Sequence, residues 1–402
     1  MMVTHDPVRH LKYLRQSLSQ DSEPIGFFLS AGCPLSVELP SDKWPLIPDV
    51  TNLTKYINSK LEGNSSYTQL IKELALAKKD INNIEEILSF LRALISVSTG
   101  GSVRGLNEAQ LKEIEKNICN IIVSKINVQL PNHNTPYHKL SKWIRSIDRK
   151  TAIEIYTTNY DLLMEQSLED MEIPYFDGFV GANKPFFDLR ALEDDLIPGH
   201  WSRLWKIHGS INWCQQDNGT QKKVYRSHPD HNNDSHLIYP SHLKYEESRK
   251  MPYLALLDQL NRFIRKKSSF LVISGYSFND GHLNDVIISA LKANPTAMVL
   301  GLMFGNYKEN DKEKYPQAYK LASNQHNLNI WTKDHAIIGT NFAPWHLNAD
   351  SNEDDKEILS FIEALNNGSK VDCNAYVNFG DFNDFTSFLQ RIIGTAKEMN
   401  HG

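Results

Sequence analysis

The sequence predicts an α/β fold: a Rossmann-like parallel sheet with helices on both faces, plus a helical insertion. Three observations predict it. Short apolar runs recur at Ile25–Ser30, Ala152–Thr157, Leu204–Ile207, Phe270–Ser274, Met298–Phe304 and Leu328–Trp331; strands buried on both faces read this way. Helical segments alternate with them, after Asp161 and at Gly281–Ala293, as a parallel sheet requires. Between Asn52 and Leu130 the pattern is helical and no strand candidate interrupts it.

The first strand runs into Ala31-Gly32-Cys33-Pro34, a tight glycine turn, and a passage marked by Pro40, Pro45 and Pro48 follows. Ile81, Ile84, Leu88, Leu91 and Ile95 recur at steps of three and four, as do Leu111, Ile114, Ile118 and Ile121. They predict two amphipathic helices, parted by Gly100-Gly101. Asn107 with Gln110 has the spacing of a capping box. Beyond residue 348 the chain is an acidic, polar loop through Glu357, then a strand at Ala375–Phe379 and a closing helix at Phe382–Ile393. The expected organisation is residues 1–51 as the start of the α/β domain, 52–135 as the helical insertion, 136–345 as the rest of the domain, and 346–402 as a C-terminal strand–helix extension.

Composition excludes several classes. The 402 residues are 41% hydrophobic and 10% aromatic, with a formal net charge of −5. That suits a soluble protein with a large core and offers no basic footprint for sequence-specific nucleic-acid binding. No apolar stretch approaches the ~20 residues of a membrane span, and Met1–Leu14 lacks the apolar core of a signal peptide. Cys33, Cys119, Cys214 and Cys373 show no CxxC spacing, so neither disulfides nor a metal knuckle is expected and the cytoplasm is the expected compartment.

Every polar motif falls at the carboxyl end of a strand, where open α/β sheets bind ligands. Gly32 permits close backbone approach to a phosphate, or is an ordinary turn. Thr157-Thr158-Asn159-Tyr160-Asp161 gathers hydroxyl, amide and carboxylate groups, some of which equally suit helix capping. His208, backed by Gly209, suits a general base near neutral pH. Ser274-Gly275-Tyr276-Ser277-Phe278-Asn279-Asp280, with His282 and Asn284, reads as a phosphate- or ribose-cradling junction or as a well-capped helix start. His228, His231 and His236 sit among Asp230, Asn232, Asn233 and Asp234 and read as a solvated loop without metal-ligand spacing.

In this order the motifs resemble the sirtuin superfamily, and more closely its bacterial antiphage-defence branch. Ser30-Ala31-Gly32-Cys33-Pro34 looks like a degenerate first nucleotide loop, usually Gly-Ala-Gly-aliphatic-Ser; Pro34 and Ser30 are departures from it. Leu39-Pro40 and Trp44 follow as in that branch. Asn159 and Asp161 match the family's Asn-x-Asp pair, His208-Gly209 its His-Gly, and Gly275 and Ser277 its later Gly-x-Ser loop. Lys206 to Trp213 is typical of the branch, and Gly275-Tyr276-Ser277-Phe278 with Asp280, His282 and Asn284 is its most specific signature.

The resemblance implies Asn159, His208 and Asp161 as catalytic residues. It implies Ser30, Ala31, Gly32, Cys33, Gly275, Tyr276, Ser277, Asp280 and His282 as NAD-binding residues. Only Cys214 lies between His208 and Gly275, where sirtuin deacylases carry a four-cysteine zinc module, so no metal is expected. The resemblance therefore implies an NAD hydrolase, an oligomer working with a HerA-type hexameric ATPase. The alternatives are an NAD-dependent protein deacylase or ADP-ribosyltransferase, an NAD- or ADP-ribose-sensing scaffold, and a nuclease partner of the ATPase.

Overall fold

The structure, a computed structural model, describes residues 3–217, 222–228, 235–238, 252–348, 356–364 and 373–392. Its centre is a nine-stranded sheet. In spatial order Tyr175–Phe176, Ser202–Lys206, Glu154–Thr157, Ile25–Leu29, Phe270–Ser274, Met298–Leu302 and Leu328–Trp331 run parallel; His335–Ile338 and Asn341–Pro344 add an antiparallel edge. The six apolar runs of the sequence are six of the seven parallel strands. The antiparallel pair follows because the three-residue turn after Trp331 is too short for a parallel crossover.

Side-chain alternation along the strands splits the core into two layers. Phe27, Leu29, Ile155, Leu204 and Val272 face one side and pack with Trp143 of helix Pro136–Ser146, Leu163 of helix Leu163–Asp170 and Phe385 of helix Phe382–Ile392. Phe28, Tyr156, Trp205, Leu271 and Ile273 face the other side, with Leu260 and Phe263 of helix Tyr253–Arg265 and Ile287 of helix Gly281–Ala293. The C-terminal helix is thus part of the central core: Phe385 lies 6.3 Å from Phe27 between ring centroids, and Lys139 Nζ donates to Asn383 Oδ1 at 2.6 Å.

The helical segment holds four helices rather than two: Val50–Lys60, Ser65–Leu76, Ile84–Val97 and Glu108–Ile126. The first two are polar and bury only narrow stripes, Leu53 with Ile57 and Tyr67 with Leu70 and Leu74. Their starts are written in Asp49 and Asn64, whose side chains accept from Asn52 N and Tyr67 N. Ile81 is exposed ahead of the third helix, which starts after its cap Asn83. The Asn107–Gln110 capping box is present. A short hairpin pairs Ser102–Val103 with Leu106–Asn107.

Two other regions depart from expectation. Helix Pro7–Leu18, capped by Asp6 and burying Val8, Leu11, Leu14 and Leu18, lies where no element was expected. After His208 the chain enters a five-stranded sheet with antiparallel pairings, ordered Ser235–Ile238, Gly209–Asp217, Lys222–Arg226, Phe186–Phe187, Phe179–Val180. His236 therefore lies in a strand rather than a loop; His228 is in a loop, and His231 is outside the described residues. Most of the acidic stretch 348–357 is also outside them. The C-terminal strand begins earlier than expected, at Cys373–Tyr376. Among the described residues no helix is long and apolar enough to cross a membrane.

Candidate active site

Strand register brings the motifs to one level. Leu29 pairs with Thr157 on one side and Ser274 on the other, and Thr157 pairs with Lys206. The residues that follow these ends, Ser30, Thr158, Ile207 and Gly275, leave the sheet together. The chain places Glu154–Thr157 on one side of Ile25–Leu29 and later Phe270–Ser274 on the other, so the crevice above them is a topological switch point, the usual ligand position of an open α/β sheet.

A cavity of about 370 Å³ occupies that crevice. Its sheet-side wall is Ser30, Ala31, Pro34, Thr158, Asn159, Tyr160, Asp161, His208, Tyr276, Ser277, Asn279 and Asp280. Its other wall comes from the insertion and the passage leading to it: Ile47, Pro48, Val50, Thr51, Leu53, Asp80, Asn82, Asn83, Glu85 and Ile126. The charged groups among these lining residues are Asp80, Glu85, Asp161 and Asp280, with the titratable His208; none is Lys or Arg.

Asn159 is tied to its own strand and to one neighbour: its backbone N–H donates to Thr157 Oγ1 at 3.0 Å, and its Nδ2 donates to the Ser30 carbonyl at 3.2 Å. Ser30 Oγ and Thr158 Oγ1 lie 2.7 Å apart. Asp161 is buried, accepts from Leu163 N at 3.0 Å, and so also starts the following helix. Burial pushes its carboxyl up to about 6, against the opposing pull of Lys206. His208 sits where the chain passes from the large sheet to the small one; Gly209, at φ +92°, makes that turn. His208 Nε2 is 3.6 Å from Asp280 Oδ2. The other Asp280 oxygen accepts from His282 N and Leu283 N, capping helix Gly281–Ala293, so capping and a place in the cavity coexist in one side chain.

Gly32, Cys33, Gly275 and His282 are not among the lining residues; the first three work from behind. Gly32 N donates to Gly275 O at 3.0 Å, and a Cβ on Gly275 would fall 2.7 Å from Cys33 N and 2.9 Å from Gly32 N. The two glycine turns are therefore packed backbone against backbone, which only glycine at φ +71° allows. Cys33 is fully buried, donates Sγ–H to Ser274 O, and burial pushes its thiol up to about 12, leaving it a packing residue. Tyr276 donates its hydroxyl toward Asp280 O and Asn284 Oδ1, and Asn284 Nδ2 donates to Phe278 O; this network fixes the later loop.

Sequence reasoning missed two supports. Lys206, 1% exposed, donates to Glu165 Oε1 at 2.8 Å and to the Asp161 carbonyl, binding the Asn159–Asp161 turn to the strand that carries His208. A lysine inside an apolar strand was the available signal, since a buried lysine demands an acid partner. The other is the wall at Asp80–Glu85, which no local pattern distinguishes from a helix start.

The fold and cavity define a ligand-binding α/β protein with its site at the sheet's switch point. Residues 153–325, somewhat under half of the chain, match the family model of the SIR2-like domain. That segment includes Asn159, Asp161, His208 and Gly275–Asn284 but not the first loop. No curated protein sequence matches the chain. A solved structure described as "Structural Basis for the Mechanism and Regulation of Sir2 Enzymes" aligns at 11% identity over 75% of this chain and 88% of that one, with a TM-score of 0.35, too distant a likeness to bear weight.

Proposed function

We propose that this chain is an NAD glycohydrolase, cleaving the nicotinamide–ribose bond to give nicotinamide and ADP-ribose. The observation that carries it is the convergence of Asn159, Asp161, His208 and two glycine-built loops on one cavity, in a chain with a SIR2-like segment. Asn159 orients the ribose hydroxyls and the attacking water, an entropic role. As the glycosidic bond breaks, its electron pair leaves with nicotinamide, neutralising the ring. Water adds to the oxocarbenium-like ribose and yields its proton to His208. Asp161 holds the nicotinamide amide. The carboxylates around the cavity favour the cationic substrate ring and the developing positive charge. The pyrophosphate, facing no lining Lys or Arg, rests on main-chain N–H groups of Ala31 and of the Tyr276–Ser277 loop, the Ser30 N–H being given to Ser274 O.

The sequence resemblance supports a setting for this activity: a cytoplasmic oligomer that acts with a HerA-type hexameric ATPase and depletes NAD during phage infection. The test is to incubate the chain with NAD, alone and with such an ATPase, and to quantify nicotinamide and ADP-ribose. Asn159→Ala and His208→Ala each lower turnover by at least about 10²-fold, the low end for lost acid–base or orienting groups. Unchanged turnover in both variants, or NAD binding without cleavage in the full assembly, overturns the proposal. O-acetyl-ADP-ribose formed from an acylated peptide assigns deacylation instead.

A further inference from the structure

The helical insertion is absorbed by none of the chemistry above, yet it supplies a wall of the cavity and reaches the catalytic turn at one residue. Tyr160 lies between Asn159 and Asp161. Its main chain belongs to the sheet side: its carbonyl accepts from Ile211 N at 3.0 Å and from Ser210 Oγ at 3.4 Å, just beyond His208. Its side chain belongs to the insertion: Tyr160 and Glu85 line the same cavity from its two walls, and the hydroxyl hydrogen-bonds the Glu85 carboxylate, with Arg92 and Cys119 as electrostatic neighbours. Glu85 stands in the first turn of helix Ile84–Val97, its N–H held by the cap Asn83 at 2.9 Å. Arg92, two turns on, pairs with Glu115 of helix Glu108–Ile126 at 2.5 Å. One residue thus joins the His208 side, the Asn159–Asp161 turn and both long helices of the insertion.

We infer that Tyr160 is a positioning residue, which through Glu85 locks the Asn159–Asp161 turn to the helical insertion and so sets both side chains for the reaction. The inference rests on the reading of this cavity as an NAD-cleaving site. Asn159 and Asp161 flank Tyr160 directly, so a shift of its main chain, once the hydroxyl no longer anchors it, carries both. A misplacement of about 1 Å at a reacting centre costs up to about 10²-fold in rate. The same bond makes the insertion's position relative to the sheet a determinant of catalytic geometry, because Asp80, Asn82, Asn83 and Glu85 move with it as cavity wall.

The experiment uses the full chain as wild type, Tyr160→Phe, Glu85→Ala and the double variant. Tyr160→Phe keeps the ring in its packed position and deletes only the hydroxyl. The first readout is amide hydrogen exchange, which needs no activity. Exchange across residues 158–163 rises about tenfold in each single variant, as loss of one charge-assisted hydrogen bond implies. It rises no further in the double variant, while strand Phe270–Ser274 is unchanged. The second readout is NAD cleavage by Tyr160→Phe, which leaves every cavity carboxylate in place: kcat falls about tenfold, the larger share of the loss in kcat/KM, because a displaced turn misaligns the reacting atoms. Wild-type exchange across 158–163 in Tyr160→Phe, or single effects that multiply in the double variant, overturns the inference. The two proposals fail separately. If wild type does not cleave NAD even with the ATPase present but exchange responds as stated, the NAD reading falls and the positioning role stands; if wild type cleaves NAD and exchange is unmoved, the reverse holds.

Discussion

The two walls of the cavity are built by different means. The sheet wall is set by strand register and main-chain bonds: four strand ends at one level, two glycine turns in backbone contact, and a buried lysine binding the turn to the next strand. The insertion wall is set by helix packing, with Glu85–Tyr160 as its identified side-chain link to the catalytic turn. Backbone geometry is stiff, so the first wall suits groups that must hold a fixed position. A wall carried on packed helices shifts at lower cost, so residues on the second wall shape and close the space.

The strongest way to break the first wall is at Lys206. Removing one partner of a buried ion pair strands the other charge, at a cost of about 3–5 kcal/mol. Lys206→Met therefore lowers unfolding free energy by that order in denaturant titration, and NAD cleavage falls with it. Adding Glu165→Leu recovers much of the stability, since the orphaned carboxylate is gone. If Lys206→Met alone leaves stability unchanged, the pair does not hold this wall.

Next comes the glycine contact. Gly275 and Gly63 both have positive φ, +71° and +87°, but nothing lies within 4 Å of a Cβ at Gly63. Gly63→Ala carries only backbone strain, about 1 kcal/mol. Gly275→Ala adds collision with the main chain at Cys33 and Gly32 and costs about 3 kcal/mol, in the range of severe overpacking. Melting temperatures of the two variants measure the difference; equal losses would refute the backbone contact between the loops.

Asp161 gives a pH signature of the same wall. Its carboxyl is raised from the ordinary 3.8 to about 6, with burial the dominant cause. A raised acid favours the protonated folded state, so its burial costs nothing below about pH 4. The penalty grows as pH rises through the window from about 4 to 6 and is complete above it, reaching on the order of 2–3 kcal/mol. Asp161→Asn keeps the acceptor for Leu163 N and removes the ionisation. Its stability matches wild type near pH 4 and exceeds it above pH 6; parallel profiles from pH 4 to 7 contradict the raised carboxyl.

The same contrast governs what the sequence discloses. Strands buried on both faces leave apolar runs, and the candidate site sits at their ends, so Asn159, His208 and the Gly275 loop are legible one by one. That they share a cavity depends on register, which no single strand encodes. Cys33 and Gly32 stand in the first motif yet serve behind the wall, because a strand–turn pattern does not state which atoms face outward. Asp80, Asn82 and Asn83 resemble any polar stretch before a helix, and only the packing of the insertion makes them cavity wall. The helix at Pro7–Leu18 went unread, although its Asp6-Pro7 start and spaced leucines are ordinary signals. The small antiparallel sheet was not legible, because Phe179–Val180 and Phe186–Phe187 are two-residue strands too short to show alternation and Gly209–Asp217 ends in polar residues.

The mildest prediction separates shaping from chemistry. Asn82 lines the cavity from the insertion side and is otherwise exposed. Asn82→Ala removes no buried contact, so stability stays within about 0.5 kcal/mol of wild type, as for ordinary surface positions. If the insertion wall only shapes the space, the variant shifts KM for NAD by at most about threefold and leaves kcat unchanged, the mark of a group binding ground and transition states alike. A fall in kcat with KM intact would move Asn82 into the reacting centre and erase the division between the two walls.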